Sequence, residues 1–106
     1  MSGVKEMCDS KIAGKKVMVF SKSSCPFCKK AKTALQKYLG KELPPEDYEV
    51  LEIENMSECQ AIQDYMQKLT GGRSVPRVFV NQKFIGGGDD VVAKDKNGEL
   101  KQLLTA

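Results

Sequence analysis

Four apolar residues, Val17-Met18-Val19-Phe20, run through a short polar stretch, Ser21-Lys22-Ser23-Ser24, into Cys25-Pro26-Phe27-Cys28. The first four are mostly β-branched or aromatic and read as a buried strand. Beyond Cys25, the spacing of Phe27, Ala31, Ala34, Leu35 and Tyr38 is helical, and Gly40 stands where a helix would stop. Pro26 suits the first helical position, where no N–H is needed and its φ is already set. A strand that passes so abruptly into a helix makes a sharp corner with Cys25 at the helix N-cap, and it commits the chain to layers of sheet and helix.

The remaining pattern extends that arrangement. Pro44 and Pro45 break the first helix, and Tyr48, Val50, Leu51 and Ile53 alternate in part, as in a second strand. Ser57 with Gln60 has the form of a capping box, and Ile62, Tyr65, Met66 and Leu69 give a helix ending at Gly71 and Gly72. Val78-Phe79-Val80 and Phe84-Ile85 read as a hairpin turning near Asn81, closed by Gly86-Gly87-Gly88. Asp89 and Asp90 suit the start of another helix, which Asn97 and Gly98 break before the amphipathic Leu100–Leu104 tail. The order strand, helix, strand, helix, hairpin, helix predicts an α/β protein with one central mixed sheet of four strands flanked by helices. A right-handed crossover is expected to bring the end of the first strand, with Cys25, to an edge of that sheet.

At 106 residues the chain is expected to be a single domain, residues 1–106, with residues 1–14 an N-terminal extension that is helical in part. Its 41% hydrophobic and 29% charged residues are ordinary globular proportions. A net charge of +3, with no basic run interleaved with aromatics, argues against nucleic acid as a partner. No stretch has the length of a membrane span, and residues 1–16 lack the apolar run of a secretion signal, so a cytoplasmic protein that engages no membrane is expected. In that reducing compartment a close cysteine pair is catalytic or metal-binding before it is structural.

A tetrahedral zinc site would need two ligands beyond Cys25 and Cys28. The chain has no histidine, and Cys8 and Cys59 form no second close pair, so a redox pair is the better reading. The thiolate is the nucleophile, and at a helix N-terminus beside cations a cysteine pKa of about 8.5 can fall to roughly 3.5–7.5. Lys22 and Lys29 supply the cations. Cys25 is therefore the nucleophile candidate. Cys28, one helical turn on and expected to be more buried, suits a resolving thiol. Cys8 is read as a free thiol in a mobile N-terminal segment, Cys59 as one early in the second helix, and Lys30 and Lys32 as a solvated helix face.

Cys25-Pro26-Phe27-Cys28 after a strand, Ser74-Val75-Pro76 about fifty residues later, and Gly86-Gly87-Gly88-Asp89-Asp90 after a hairpin together resemble the glutaredoxins. The resemblance runs from about Lys15 to Leu104 and implies a thioredoxin-like fold. It also implies glutathione-dependent reduction of protein–glutathione mixed disulfides and some protein disulfides. Glutathione would be a cosubstrate, with no tightly bound cofactor and no metal. Glutathionylated proteins would be the substrates, glutathione reductase with NADPH would close the cycle, and the chain would act as a monomer. By the family pattern Lys22, Gln63 and Arg73 hold the glycine carboxylate, and Val75 pairs its backbone with the cysteinyl part. Pro76 is cis. The N–H groups of Gly88 and Asp89 receive the γ-glutamyl carboxylate, leaving the Asp90 carboxylate free for the ammonium. Phe27 and Ser74 complete the glutathione site.

The chain departs from the pattern at three places. Phe27 stands where tyrosine is common, Ser74 where threonine is frequent, and Gly88 where some relatives carry another cysteine. Two other readings stay open on these residues. One is a thioredoxin-type disulfide reductase, against which stands the absence of tryptophan. The other is a dimer binding a glutathione-ligated [2Fe–2S] cluster through Cys25, against which stands the stiffening Pro26.

Overall fold

The computed structural model describes residues 2–106. Its elements are α1 (Ser2–Gly14), β1 (Val17–Ser21), α2 (Pro26–Gln36), a 3-10 turn (Pro45–Asp47), β2 (Tyr48–Glu52), α3 (Cys59–Thr70), β3 (Arg77–Val80), β4 (Lys83–Gly86), α4 (Gly88–Lys96) and α5 (Glu99–Thr105). The strands form one mixed sheet in the order β2-β1-β3-β4. β1 runs parallel to β2, with Val17 beside Tyr48 and Ser21 beside Glu52. It runs antiparallel to β3, which forms the hairpin with β4. β1 is thus an interior strand, and Cys25 follows its C-terminal end in the middle of the sheet. The expected edge position is corrected, because a hairpin adds β3 on the side of β1 that the crossover leaves open.

β1 is buried along its whole length because both faces of the sheet are covered, which is why its sequence is continuously apolar. Val17 and Val19 point to one side, where Ala31 and Leu35 of α2, Val91 of α4 and Leu100 and Leu104 of α5 close over them. Met18 and Phe20 point to the other, against Cys8 and Ile12 of α1 and Ile62 and Met66 of α3. There Phe20 meets Phe79 edge-on, with ring centroids 6.0 Å apart. On the first face α2 and α4 are also clamped at their far ends, where the Tyr38 hydroxyl donates to Asp95 Oδ1 at 2.6 Å and Lys37 pairs with the same carboxylate.

The hairpin turns at Asn81 and Gln82, both with positive φ (52° and 69°), as a two-residue turn matched to strand twist requires. α3 departs from expectation at its start. Its N-cap is Glu58, and Ser57 makes no cap. The Cys59 N–H instead donates to Met56 O at 3.1 Å, so a backbone turn satisfies the group the serine would have served. Leu69 also leaves the inward stripe and is 45% exposed near the helix end.

The N-terminal segment is helical, as expected, but the reading of Cys8 in a mobile stretch is corrected, because the helix is docked on α3. Tyr65 donates its hydroxyl to Asp9, and Lys11 pairs with Glu49 of β2 at 2.6 Å. Cys8 is fully buried, and burial, with Asp9 beside it, pushes its thiol up to about 11. Val4 and Ile12 flank it on the buried face, each worth about 1.5–3 kcal/mol of removed apolar surface. Cys8 is therefore a core residue. Cys8→Ser, which keeps the shape but buries a hydroxyl, is expected to lower stability by about 1–3 kcal/mol in urea unfolding. Cys59→Ser, at a half-buried helix start, should change it little.

Candidate active site

The corner between β1 and α2 is built from backbone. The Cys25 N–H donates to Lys22 O at 3.0 Å, closing the turn, and Lys29 N–H donates to Cys25 O at 3.1 Å, opening the helical ladder. Cys25 is extended (φ −83°, ψ 121°), as an N-cap should be, and Pro26 fills the first helical position. The loop is also tied sideways. Ser23 donates both its N–H, at 3.2 Å, and its hydroxyl to the Glu54 carboxylate, in the connection from β2 to α3. Those bonds, the hydroxyl's first, hold Glu54 below the usual carboxylate range. Sequence reasoning passed over Glu54, because its partner lies on a different strand's exit and nothing local marks the pair.

Cys25 and Cys28 differ in exposure although one helical turn separates them. Cys25 is partly exposed and Cys28 is fully buried. Both are free thiols. The Cys25 thiol lies 3.7 Å from Val75 O, across from the loop that leads into β3. In that loop the Val75–Pro76 bond is cis, as expected. Arg77 holds the loop's shape. Its Nε donates to Ser74 O at 2.8 Å and its Nη2 to Ser74 Oγ at 3.1 Å, while the guanidinium lies over the Phe84 ring at 5.1 Å. Gly72 makes room for it, since a Cβ there would stand 2.1 Å from Arg77 Nη2. Arg77 was missed in the sequence. The available signal was an arginine directly after a proline, opening a strand that is otherwise apolar.

Beside Phe27 and the Pro76 loop, α4 begins. Gly87 is its N-cap, and the Gly87 N–H donates to Asp90 Oδ2 at 2.9 Å. The expected free carboxylate at Asp90 is thus partly engaged, because a helix N-cap leaves an N–H that the third residue can reach. Gly88 is pressed under the active-site helix, where a Cβ would come within 2.4 Å of Phe27 O. Asp89 faces Lys30 at 3.8 Å, and the Lys30 ammonium lies 5.2 Å above the Phe27 ring. Lys30 is solvent-exposed as read, but it also frames the half-exposed Phe27. Between these walls lies an open groove of about 390 Å³. Phe27, Ser74, Val75, Pro76, Gly88, Asp89 and Asp90 line it together with Arg77 and Gly87. Lys22, Gln63 and Arg73 lie outside that groove. Gln63 Nε2 donates to Arg73 O at 2.8 Å, joining those two, and Arg73 pairs with Asp64 at 2.6 Å.

The electrostatics divide the two thiols. At Cys25 burial works against the anion. The N–H and thiol of Cys28, the N–H of Phe27 and the Lys22 charge outweigh it, and the pKa falls below the ordinary thiol value. At Cys28 burial dominates and the thiol titrates higher, despite the Lys22 N–H at 3.4 Å from its sulfur. The pair can therefore present one thiolate at the surface with a protonated partner beneath it. A depressed pKa means that the Cys25 thiolate is present at lower pH than for a free cysteine and is lost only as pH falls through the depressed value. Lys22→Gln removes a stabilising charge, so the rising limb of Cys25 alkylation against pH is expected to move to higher pH. An unmoved limb would leave the amides and Cys28 as the whole cause.

Residues 17–85 match the family model described as Glutaredoxin. Glutaredoxin-1 of Rhizophagus irregularis is 41% identical over 106 residues, spanning 100% of this chain and 99% of that protein. The structure of oxidized glutaredoxin 2 from Chlamydomonas reinhardtii superposes with a TM-score of 0.87 at 45% identity, covering 97% of this chain and 92% of that one. A buckwheat glutaredoxin–glutathione complex superposes with a TM-score of 0.86 at 30% identity, over 98% and 89% of the two chains. With a thiolate-stabilising corner on a mixed four-stranded sheet and likeness along its whole length, the chain belongs to the glutaredoxin family, the glutathione-dependent thiol oxidoreductases of the thioredoxin-like fold.

Proposed function

We propose that this enzyme removes glutathione from protein–glutathione mixed disulfides through Cys25, and that Cys28 serves a second, dithiol route to protein disulfides. The observation that carries the reading is the position of the Cys25 thiol, 3.7 Å from Val75 O, where the Val75 edge lines one groove with the N-terminus of α4. A glutathionyl group has a peptide-like middle that can pair with the Val75 backbone, as an added strand pairs with an edge. Its γ-glutamyl carboxylate suits the N–H groups of Gly88 and Asp89, where the helix dipole favours an anion. Lys22, Gln63 and Arg73 are assigned the glycine carboxylate by family pattern. The buckwheat complex supports glutathione as the ligand.

In the first step the Cys25 thiolate attacks the glutathione sulfur, the mixed disulfide breaks, and the protein thiol leaves with the electron pair. Free glutathione then attacks the Cys25 mixed disulfide and releases glutathione disulfide. Glutathione reductase and NADPH return that product to glutathione. No cofactor need be held by the chain. For a protein disulfide, Cys25 forms the first mixed disulfide and Cys28 displaces the second protein thiol.

Glutathione-coupled reduction of a small mixed disulfide, read as NADPH consumption, tests the assignment. Cys25→Ser is expected to be silent and Cys28→Ser to keep deglutathionylation, because glutathione supplies the second thiol. A wild type that fails with glutathione but turns over with a thioredoxin reductase would sink the reading. Gly88→Ala tests the groove. The added Cβ must displace the Phe27 backbone, an overpacking that is expected to raise KM for the glutathionyl substrate about tenfold and, because the Phe27 N–H helps to stabilise the Cys25 thiolate, to move the Cys25 alkylation limb to higher pH.

A further inference from the structure

Ser21 ends β1 fully buried, and its Oγ has no hydrogen-bond partner among the described residues in this dithiol state. A buried hydroxyl without a partner loses its water and gains nothing in return, so its presence calls for a reason. Two periodicities say where it points. Side chains alternate along a strand, so Ser21 shares the face of Val17 and Val19, which is the face covered by α2. On α2 the inward stripe is Cys28, Ala31, Ala34 and Leu35. Cys28 is the member of that stripe nearest the corner, and the next backbone group after Ser21, the Lys22 N–H, already donates to its sulfur at 3.4 Å. The strand end and the helix start thus bring the orphaned hydroxyl and the buried sulfur together.

We infer that the Ser21 hydroxyl is the hydrogen-bond donor for the Cys28 thiolate, idle while Cys28 is a thiol and engaged when it attacks the Cys25 mixed disulfide. The inference rests on the reading of Cys28 as the resolving thiol. That thiol must ionise inside the protein. Burial opposes ionisation most, and the Lys22 N–H and the Ser21 hydroxyl act in its favour. The titratable group facing Cys28 is Cys25, at the cap of the same helix, whose hydrogen bond and charge also oppose a second anion. The Lys22 ammonium acts on Cys25 from the loop, and α4 brings the buried, uncharged Gly88 and Val91 to this face. Once Cys25 carries glutathione its charge is gone, and the two donors are left to offset burial.

The step balances without a further reactant. Cys28 gives up its proton, its sulfur bonds to Cys25 Sγ, and the bond from Cys25 to the glutathione sulfur breaks. The electron pair leaves on that sulfur, which takes up a proton as glutathione. Cys28 is oxidised and the glutathione sulfur reduced.

The experiment starts from protein carrying glutathione on Cys25 and follows closure of the Cys25–Cys28 disulfide by acid quench and mass spectrometry across the thiol titration range. Compared with wild type, Ser21→Ala is expected to close about tenfold or more slowly at neutral pH, with the rising limb moved to higher pH, because a bond to an ionised group is lost. Ser21→Thr, which keeps a hydroxyl, should restore the limb. In the turnover assay the effect of Ser21→Ala should vanish once Cys28 is already serine, and the thermal midpoint of reduced Ser21→Ala should not fall, since no bond is lost in that state. An unmoved limb in Ser21→Ala, or a fall in its thermal midpoint with equal slowing in the Cys28→Ser background, would overturn the inference. A wild type that never closes the disulfide would instead overturn the dithiol route on which it rests.

Discussion

Everything distinctive in this chain depends on the first-turn amides of α2 converging on one sulfur at the end of a strand buried on both faces. The strand fixes where the corner is, because Val17–Phe20 are gripped from both sides and cannot shift without exposing a core face. The helix fixes what the corner does, because its unpaired N–H groups stabilise negative charge on the residue that caps it. Pro26 adds a helix start with no N–H to satisfy. A cysteine at that cap therefore has its thiolate stabilised before any substrate arrives.

The same helix makes its second cysteine different by turning it inward. Three residues carry Cys28 from the partly exposed cap to the buried stripe, and burial reverses the direction of its pKa. One sulfur is then charged and reachable while the other is neutral and held back. If both titrated alike, the two anions would repel at close range and neither would be a dependable leaving group or attacker. The difference in depth separates the two sulfurs in charge as well as in space.

Much of this was legible in the sequence where local rules govern. The corner, the hairpin turn at Asn81 and the start of α4 each follow from residues adjacent in the chain, whereas the groove shared by Phe27, Val75 and Gly88 was expected only from the family resemblance of its motifs. What escaped was set by partners far along the chain. Cys8 lies on a helix with a weak apolar pattern, and only the presence of α3 beneath it makes it a core residue. Arg77 belongs to a strand by position, yet its side chain folds back on Ser74 and needs Gly72 to leave space. Ser57 has the composition of a cap, but the turn through Met56 satisfied the backbone first. Glu54 and Ser23 meet only because β1 and β2 run parallel and end together.

That last juxtaposition shows why the parallel pair matters to the chemistry. Parallel strands deliver two loops to the same end of the sheet, and here one carries Lys22 to Cys25 while the other carries Glu54. The carboxylate takes up the Ser23 N–H and hydroxyl, and the turn that presents Cys25 is held without using any donor of α2 itself. The α2 amides remain directed at the sulfur. A hairpin on the other flank of β1 brings the Val75 edge and α4 to the same end, so the groove is assembled from the exits of neighbouring strands. The order β2-β1-β3-β4 is thus the reason a residue as exposed as Cys25 can be surrounded by fixed polar groups on both sides.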